Sequence, residues 1–249
     1  MKISAQCITY DRTELLEEAI ESFLRQDYKG EKEMVILNDC ADQQLICNHP
    51  EVFVVNTNRR FRTIGEKRNA CIAMCSGDII FGWDDDDISL PHRITTSLKY
   101  KRDKPYFKNT SAWLWQNGVV QDEPVKNTYP TMACWDRKFF EEVNGYAFMQ
   151  SGQDVELDNR FRKTGKRHCI DIPKEDVYYI YRFGGTQKPH LSSYGYGKGW
   201  IEIGKREISN KGTIQLVPKW NTDYVKLIKE KLDVKKNPSN SIPSLSHSV

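Results

Sequence analysis

Apolar residues in the first hundred positions fall into short blocks separated by longer stretches with helical spacing. The run KISAQCIT (residues 2–9) predicts a buried strand. RTELLEEAIESFLRQ follows, with Leu15, Leu16, Ala19, Ile20, Phe23 and Leu24 on one helical stripe. EMVILND (33–39) predicts a second strand, VFVV (52–55) a third and DIIFGW (78–83) a fourth. Between the last two, IGEKRNACIAMCSG (64–77) reads as a helix stopped at Ser76 and Gly77. Strand and helix alternating through short links imply an α/β fold, a mostly parallel sheet flanked by helices. Ligands of such sheets lie beyond the carboxyl ends of the strands. Asp39 and the run Asp84, Asp85, Asp86, Asp87 both fall at such ends.

The later pattern is less regular. SAWLWQNGVVQ (111–121) predicts a hairpin turning at Asn117 and Gly118, and TMACW (131–135) a further strand. DRKFFEEVNGY (136–146) predicts a short helix capped by Asp136 and closed at Asn144 and Gly145. DVELDNRFRKTGK (154–166) predicts another helix, and HCIDIP and VYYIYRF two strands. A loop rich in glycine and aromatics, Gly184–Gly199, is a candidate lid. NTDYVKLIKEKLDVKK (221–236) is an amphipathic helix. The expected organisation is a first half at 1–100, a second half of the same domain at 101–205, a C-terminal helical extension at 206–236 and a disordered tail at 237–249.

Composition narrows the class. With 249 residues, 39% of them hydrophobic, the chain suits one globular domain. No apolar run approaches the ~20 residues of a membrane helix, and the N-terminus lacks the apolar core of a secretion signal. A cytoplasmic location is therefore expected. The seven cysteines are odd in number and form no CxxC pair, so free thiols are expected rather than a disulfide or zinc framework. Charge is uneven. From Arg160 to Lys236 there are 18 Lys and Arg against 8 Asp and Glu, a surplus of +10, which leaves −7 on residues 1–159. The basic part suits an acidic partner or a solvated face.

Four adjacent carboxylates at a strand end are hard oxygen donors suited to Mg²⁺ or Mn²⁺. One or two of them suffice for a metal, and a neighbour can accept from a ribose hydroxyl; a solvated acidic turn is the alternative. Asp87 is expected to cap a helix beginning near Leu90, with Pro91 in its first turn. Asp39 can accept from the N–H of a nucleobase. Arg68 can supply positive charge to a diphosphate, whereas Lys67 is expected on a solvated helix face. Asp154, at a helix start that keeps it ionised, is the candidate general base, with Glu156 second. Trp113, Trp115, Trp135, Tyr194, Tyr196 and Trp200 are candidates for stacking on sugar or base, although Trp113 and Trp115 suit a core face.

Taken together, ITYDR, ILNDC, GEKRN, CSGD and DDDD resemble, in order and spacing, the N-terminal half of family 2 glycosyltransferases, whose fold is GT-A. Asp11, Asn38, Cys40 and Ala41 depart from the usual motif residues. The resemblance implies a metal-dependent, inverting enzyme that moves a sugar from a nucleotide-diphosphate sugar, a UDP-sugar first, to a hydroxyl acceptor. It implies donor contacts from Thr9, Tyr10, Arg12, Asp39, Gly65, Arg68, Asp84 and Asp85, and a metal, Mn²⁺ or Mg²⁺, on Asp86 with the late His190. It makes 1–100 the nucleotide-sugar half and 101–205 the acceptor half. NGYAFMQSGQD, with Gln153 where Glu is common, resembles the segment bearing the catalytic base and points to Asp154. The acceptor is a glycan or, given the basic half, a nucleic acid or another acidic molecule. Two other readings stay open: a sugar-nucleotide-forming nucleotidyltransferase, which CITYDRTELL does not favour, and a non-catalytic binder of nucleic acid or carbohydrate.

Overall fold

The computed structural model describes residues 1–116, 118–126, 130–183 and 208–233. The chain runs through β1 (Ile3–Thr9), α1 (Thr13–Leu24), β2 (Lys32–Asn38), β3 (Gln43–Ile46), β4 (Val52–Asn56), α2 (Ile64–Met74), β5 (Ile79–Asp84), β6 (Ile88–Ser89) and α3 (Arg93–Lys101). There follow β7 (Tyr106–Asn109), β8 (Ser111–Gln116), β9 (Val119–Val120), β10 (Val125–Lys126), β11 (Cys134–Asp136), α4 (Arg137–Glu142) and α5 (Gln153–Lys163). The last elements are β12 (Arg167–Ile170), β13 (Tyr179–Phe183), β14 (Gly212–Gln215) and α6 (Tyr224–Asp233).

Seven strands form the main sheet in the order β12-β7-β11-β5-β1-β2-β4. Only β11 runs against its neighbours. Both faces are covered, and the strands show it by alternation. Ile3, Ala5 and Cys7 of β1, Met34 and Ile36 of β2, and Ile79, Phe81 and Trp83 of β5 enter one core with Leu16, Ile20 and Phe23 of α1. Val35, Leu37 and Ile80 point the other way, toward Cys71 and Ile72 of α2 and Phe161 of α5. A strand buried on both faces has no polar face, so its sequence is a continuous apolar run. Side by side lie β10, β8, β13 and β6 in a second sheet, and β3 pairs with β14 in a third.

Register decides where the site lies. Thr9 pairs with Asn38, and Ile8 with Asp84. The ends of β1, β2 and β5 therefore finish level at one edge, which carries Asp39 and the aspartate run.

Several local expectations are corrected. The helix after the aspartates starts at Arg93, not near Leu90. Ile88 and Ser89 pair with Ile180 and Tyr179 of β13 instead. Asp87 caps nothing there: one carboxylate oxygen accepts from the Tyr179 hydroxyl (2.6 Å) and the other from the Arg182 backbone N–H (2.8 Å). Asp136 stands at the start of α4 but makes no capping bond, because its carboxylate pairs with Lys101 at 2.7 Å. The turn after α4 is as expected, with Asn144 and Gly145 both at positive φ (61° and 62°). The seven cysteines are free thiols. No helix among the described residues is long and apolar enough to cross a membrane.

The start of α2 touches the second half of the chain closely. Gly65 N–H donates to the Met149 carbonyl (3.1 Å), and a Cβ at Gly65 would stand 1.9 Å from the Ala147 carbonyl oxygen. Gly65→Ala is expected to cost about 1–3 kcal/mol by forcing the two backbones apart. The urea midpoint measures this, and an unchanged midpoint would mean that residues 147–149 retreat freely.

Candidate active site

Every aspartate of the run has a polar partner, and Asp85 and Asp86 share one. Asp84 accepts from Arg68 at 2.9 Å. Asp85 is 1% exposed and faces Arg12 with both oxygens, one of them at 3.1 Å from Nε. Asp86 accepts from Nη1 of the same arginine at 2.6 Å. Asp87 is held by Tyr179 and Arg182. Burial pushes the Asp85 carboxyl up to about 6, against the pull of Arg12. Asp85 is thus buried and anchors Arg12. Burial and the Asp87 charge both raise the Tyr179 phenol, which stays a donor.

The strand end beside it is built on a second buried pair. Lys67 is 5% exposed, and its ammonium donates to an Asp39 oxygen and to the Thr9 carbonyl (2.6 Å). This corrects the expectation of a solvated Lys67. Burial lowers its pKa, and Asp39 pulls the other way. The second Asp39 oxygen accepts from Phe61 N–H at 3.1 Å. Thr9, Tyr10, Arg12, Asp39, Lys67 and Gln150 border a cleft here. Arg60 lies over the Tyr10 ring, 4.1 Å from its centroid.

Helix α2 carries the contacts that join these parts. Thr63 accepts from Glu66 N–H and fixes the helix start. Lys67 then faces Asp39, and Arg68 faces Asp84, Gln6 and the Tyr146 ring. Asn69 exchanges two bonds of 2.8 Å with the Tyr146 backbone. Beyond Tyr146 the chain reaches α5 and Asp154, whose charge bears on both Arg68 and Tyr146. Asp154 accepts from the Val155 N–H at 2.8 Å. Glu156 is engaged differently: Arg160 grips both its oxygens at 2.7–3.0 Å. Trp113 and Trp135 are core residues, and Trp115 packs on Tyr224. His190, Tyr194, Tyr196 and Trp200, with the candidate lid and the expected tail at 237–249, lie outside the described residues.

Asp84, Asp86 and Asp87 can each bring a carboxylate oxygen within 4.8 Å of the others. An all-oxygen donor set of this kind fits Mg²⁺ or Mn²⁺. Of this trio the sequence expectation gave only Asp86 to a metal; it placed Asp84 with the donor, and Asp87 in a capping role that rested on a helix which begins elsewhere.

The Glycosyl transferase family 2 model matches residues 5–152. The chain belongs to glycosyltransferase family 2. Among relatives of this transferase, YwdF of Bacillus subtilis (strain 168), an uncharacterized glycosyltransferase, is 34% identical over 76% of this chain and 77% of its own. WcaA of Escherichia coli (strain K12), a glycosyl transferase named for colanic acid biosynthesis, is 30% identical over 57% of this chain. The match spans about half of WcaA, 53%. Among solved structures, S. aureus TarS (residues 1–349) in complex with UDP-GlcNAc aligns with a TM-score of 0.56 at 15% identity, covering 82% of this chain and 64% of that one. The mannosyltransferase PcManGT from Pyrobaculum calidifontis, in complex with GDP-Man and Mn²⁺, aligns at 0.54 and 16%, covering 72% and 56%. At these identities the likeness concerns the fold, which is GT-A.

Among the described residues, the Arg12–Asp85 pair is the most buried charge pair of this glycosyltransferase's aspartate run. Arg12→Ala leaves an uncompensated carboxylate in the core and is expected to cost about 3–5 kcal/mol in chemical denaturation. Asp85→Ala in the same chain should restore part of the loss. A single-variant loss under about 1 kcal/mol would refute this account.

Proposed function

We propose that this glycosyltransferase transfers a sugar from a nucleotide-diphosphate sugar, a UDP-sugar first, to a hydroxyl acceptor, with inversion at the anomeric carbon. The observation that carries the reading is one sheet edge on which the aspartate trio, the Asp39 cleft and, through Arg68 and Tyr146, Asp154 converge. The nucleotide sugars bound to TarS and PcManGT support the donor class.

In this reading residues 1–100 serve the donor and 101–205 the acceptor, with 206–236 as the C-terminal extension. Thr9, Tyr10, Asp39 and Lys67 line the base end of the donor cleft. Asp39 offers an acceptor and Lys67 a donor, a combination that suits an imide edge such as that of uracil. Asp84, Asp86 and Asp87 would hold Mn²⁺ or Mg²⁺. The ion supplies Lewis acidity that offsets charge on the departing diphosphate. Asp154 takes the proton of the acceptor hydroxyl as its oxygen bonds to the anomeric carbon. The bond from that carbon to the diphosphate oxygen breaks, and the nucleoside diphosphate leaves with the electron pair. Glu156 is the weaker candidate base because Arg160 holds it. With a single base carboxylate the course is one displacement, hence inversion. The basic surplus from Arg160 onward supports an acidic acceptor, a glycan bearing acidic groups before a nucleic acid.

Asp154→Asn is expected to lower kcat about 10²- to 10⁴-fold while donor binding and melting temperature hold. Transfer should stop in excess EDTA, return with Mn²⁺, and give the opposite anomer by NMR. In a nucleotide-sugar panel, a donor at 100 times its Kd should add about 2.7 kcal/mol of stability. Undiminished turnover in Asp154→Asn would remove Asp154 as base, and undiminished turnover in EDTA would remove the metal.

A further inference from the structure

Beyond residue 152, where the family match ends, a buried network reaches back to the aspartate turn. Arg182, on β13, is its hub. Its backbone N–H donates to an Asp87 carboxylate oxygen at 2.8 Å, and its Nε donates to the Asp86 carbonyl at 2.5 Å. Its Nη1 pairs with Glu18 of α1 and lies 3.3 Å from the Tyr224 hydroxyl. The Tyr224 hydroxyl donates to the other Glu18 oxygen at 3.0 Å, which also accepts from Asn221 N–H at 3.1 Å. Trp220 closes the ring by donating to the Glu18 carbonyl (3.2 Å) and the Ser22 hydroxyl (3.0 Å). Glu18 is 4% exposed and Tyr224 2%.

Charge and tether are separated in this arrangement. The guanidinium is balanced by Glu18, a carboxylate on α1. Toward the aspartate turn its Nε bonds a backbone carbonyl rather than a carboxylate, so it tethers the turn while Glu18, not the turn, supplies its ion pair. Arg12 does the reverse and takes its charge balance from Asp85 and Asp86. The geometry points to Arg182 as a positioning residue for the aspartate turn, aimed by Glu18 and Tyr224, so that α6 and the residues before it belong to the support of the site. The part of this inference that concerns metal affinity rests on the proposed metal role of Asp86 and Asp87; the part that concerns the turn does not.

Without the Glu18 charge, Arg182 is a buried cation whose nearest anions are on the aspartate turn. It then competes for the charge that a divalent ion needs, and the turn loses its fixed backbone contact. The test uses the full chain with Glu18→Gln, and Tyr224→Phe as the milder variant should Glu18→Gln not fold. Mn²⁺ titration calorimetry is expected to show about a 10- to 100-fold loss of affinity in Glu18→Gln, the range for groups that orient metal ligands, and a smaller loss in Tyr224→Phe. Hydrogen exchange in the metal-free protein is expected to quicken at residues 84–89 more than elsewhere in the sheet. A purely structural network would lower the melting temperature and raise exchange evenly, leaving Mn²⁺ affinity unchanged; that result overturns the inference. Should the unsubstituted chain bind no Mn²⁺, the metal reading fails, and the exchange pattern alone decides the role of Arg182.

Discussion

Four carboxylates in sequence repel one another, and this fold depends on engaging all four with groups from separate parts of the chain. Arg68 comes from α2, Arg12 from the turn after β1, and Tyr179 with Arg182 from β13. These partners belong to three separate parts of the chain. The aspartate turn can thus take its shape only when the sheet, α2 and β13 have come together. Local turn chemistry does not settle its conformation, which is why a capping role for Asp87 was the natural expectation and the wrong one. The same constraint sorts the run: Asp85 is committed to Arg12, while Asp84, Asp86 and Asp87 keep a common space between them.

Helix α2 does the corresponding work for the site as a whole. Consecutive positions of GEKRN serve different neighbours: Gly65 and Asn69 the loop leading to α5, Lys67 the β2 end, Arg68 the β5 end. A helix that buries charged residues on several sides has little amphipathic contrast. A one-stripe reading of its pattern therefore assigns Lys67 to solvent. The contacts also account for the residue types. Only glycine admits the Ala147 carbonyl, and only a side chain with both a donor and an acceptor can pair with both backbone groups of Tyr146.

The parallel strands are legible from sequence because burial on both faces writes an unbroken apolar run, as in MVIL of β2. The ligand edge is legible because polar residues end those runs together. The short pairings are not. β3 has four residues, and its partner β14 begins at Gly212, far along the chain, so neither carries a local signal. Nor is the partner of a buried charge readable from its own surroundings. Glu18 sits in LLEEAIESF, where an acidic residue on a helix ordinarily faces water, and only the approach of Arg182 and Tyr224 makes it an interior ion. The motifs that carry the family resemblance mark the candidate edge and supply Arg12, Lys67 and Arg68 to it, but Glu18, Tyr179, Arg182 and Tyr224, which also hold it in shape, come from elsewhere in the chain.

That division has a physical reason. A residue that touches a donor or a metal is confined by the chemistry of the ligand, so its type and spacing recur as a motif. A residue that supports it must only supply a donor, an acceptor or a charge at the right point, and many chain segments can do so. Arg182 meets the turn through a backbone carbonyl, a group that every residue possesses. The contact therefore leaves no trace in the identity of Asp86. Its balancing charge can likewise come from any element packed against it, and here that is α1, fastened by Trp220, Asn221 and Tyr224. Support of this kind becomes visible only when the bonds of the folded chain are followed outward from the site.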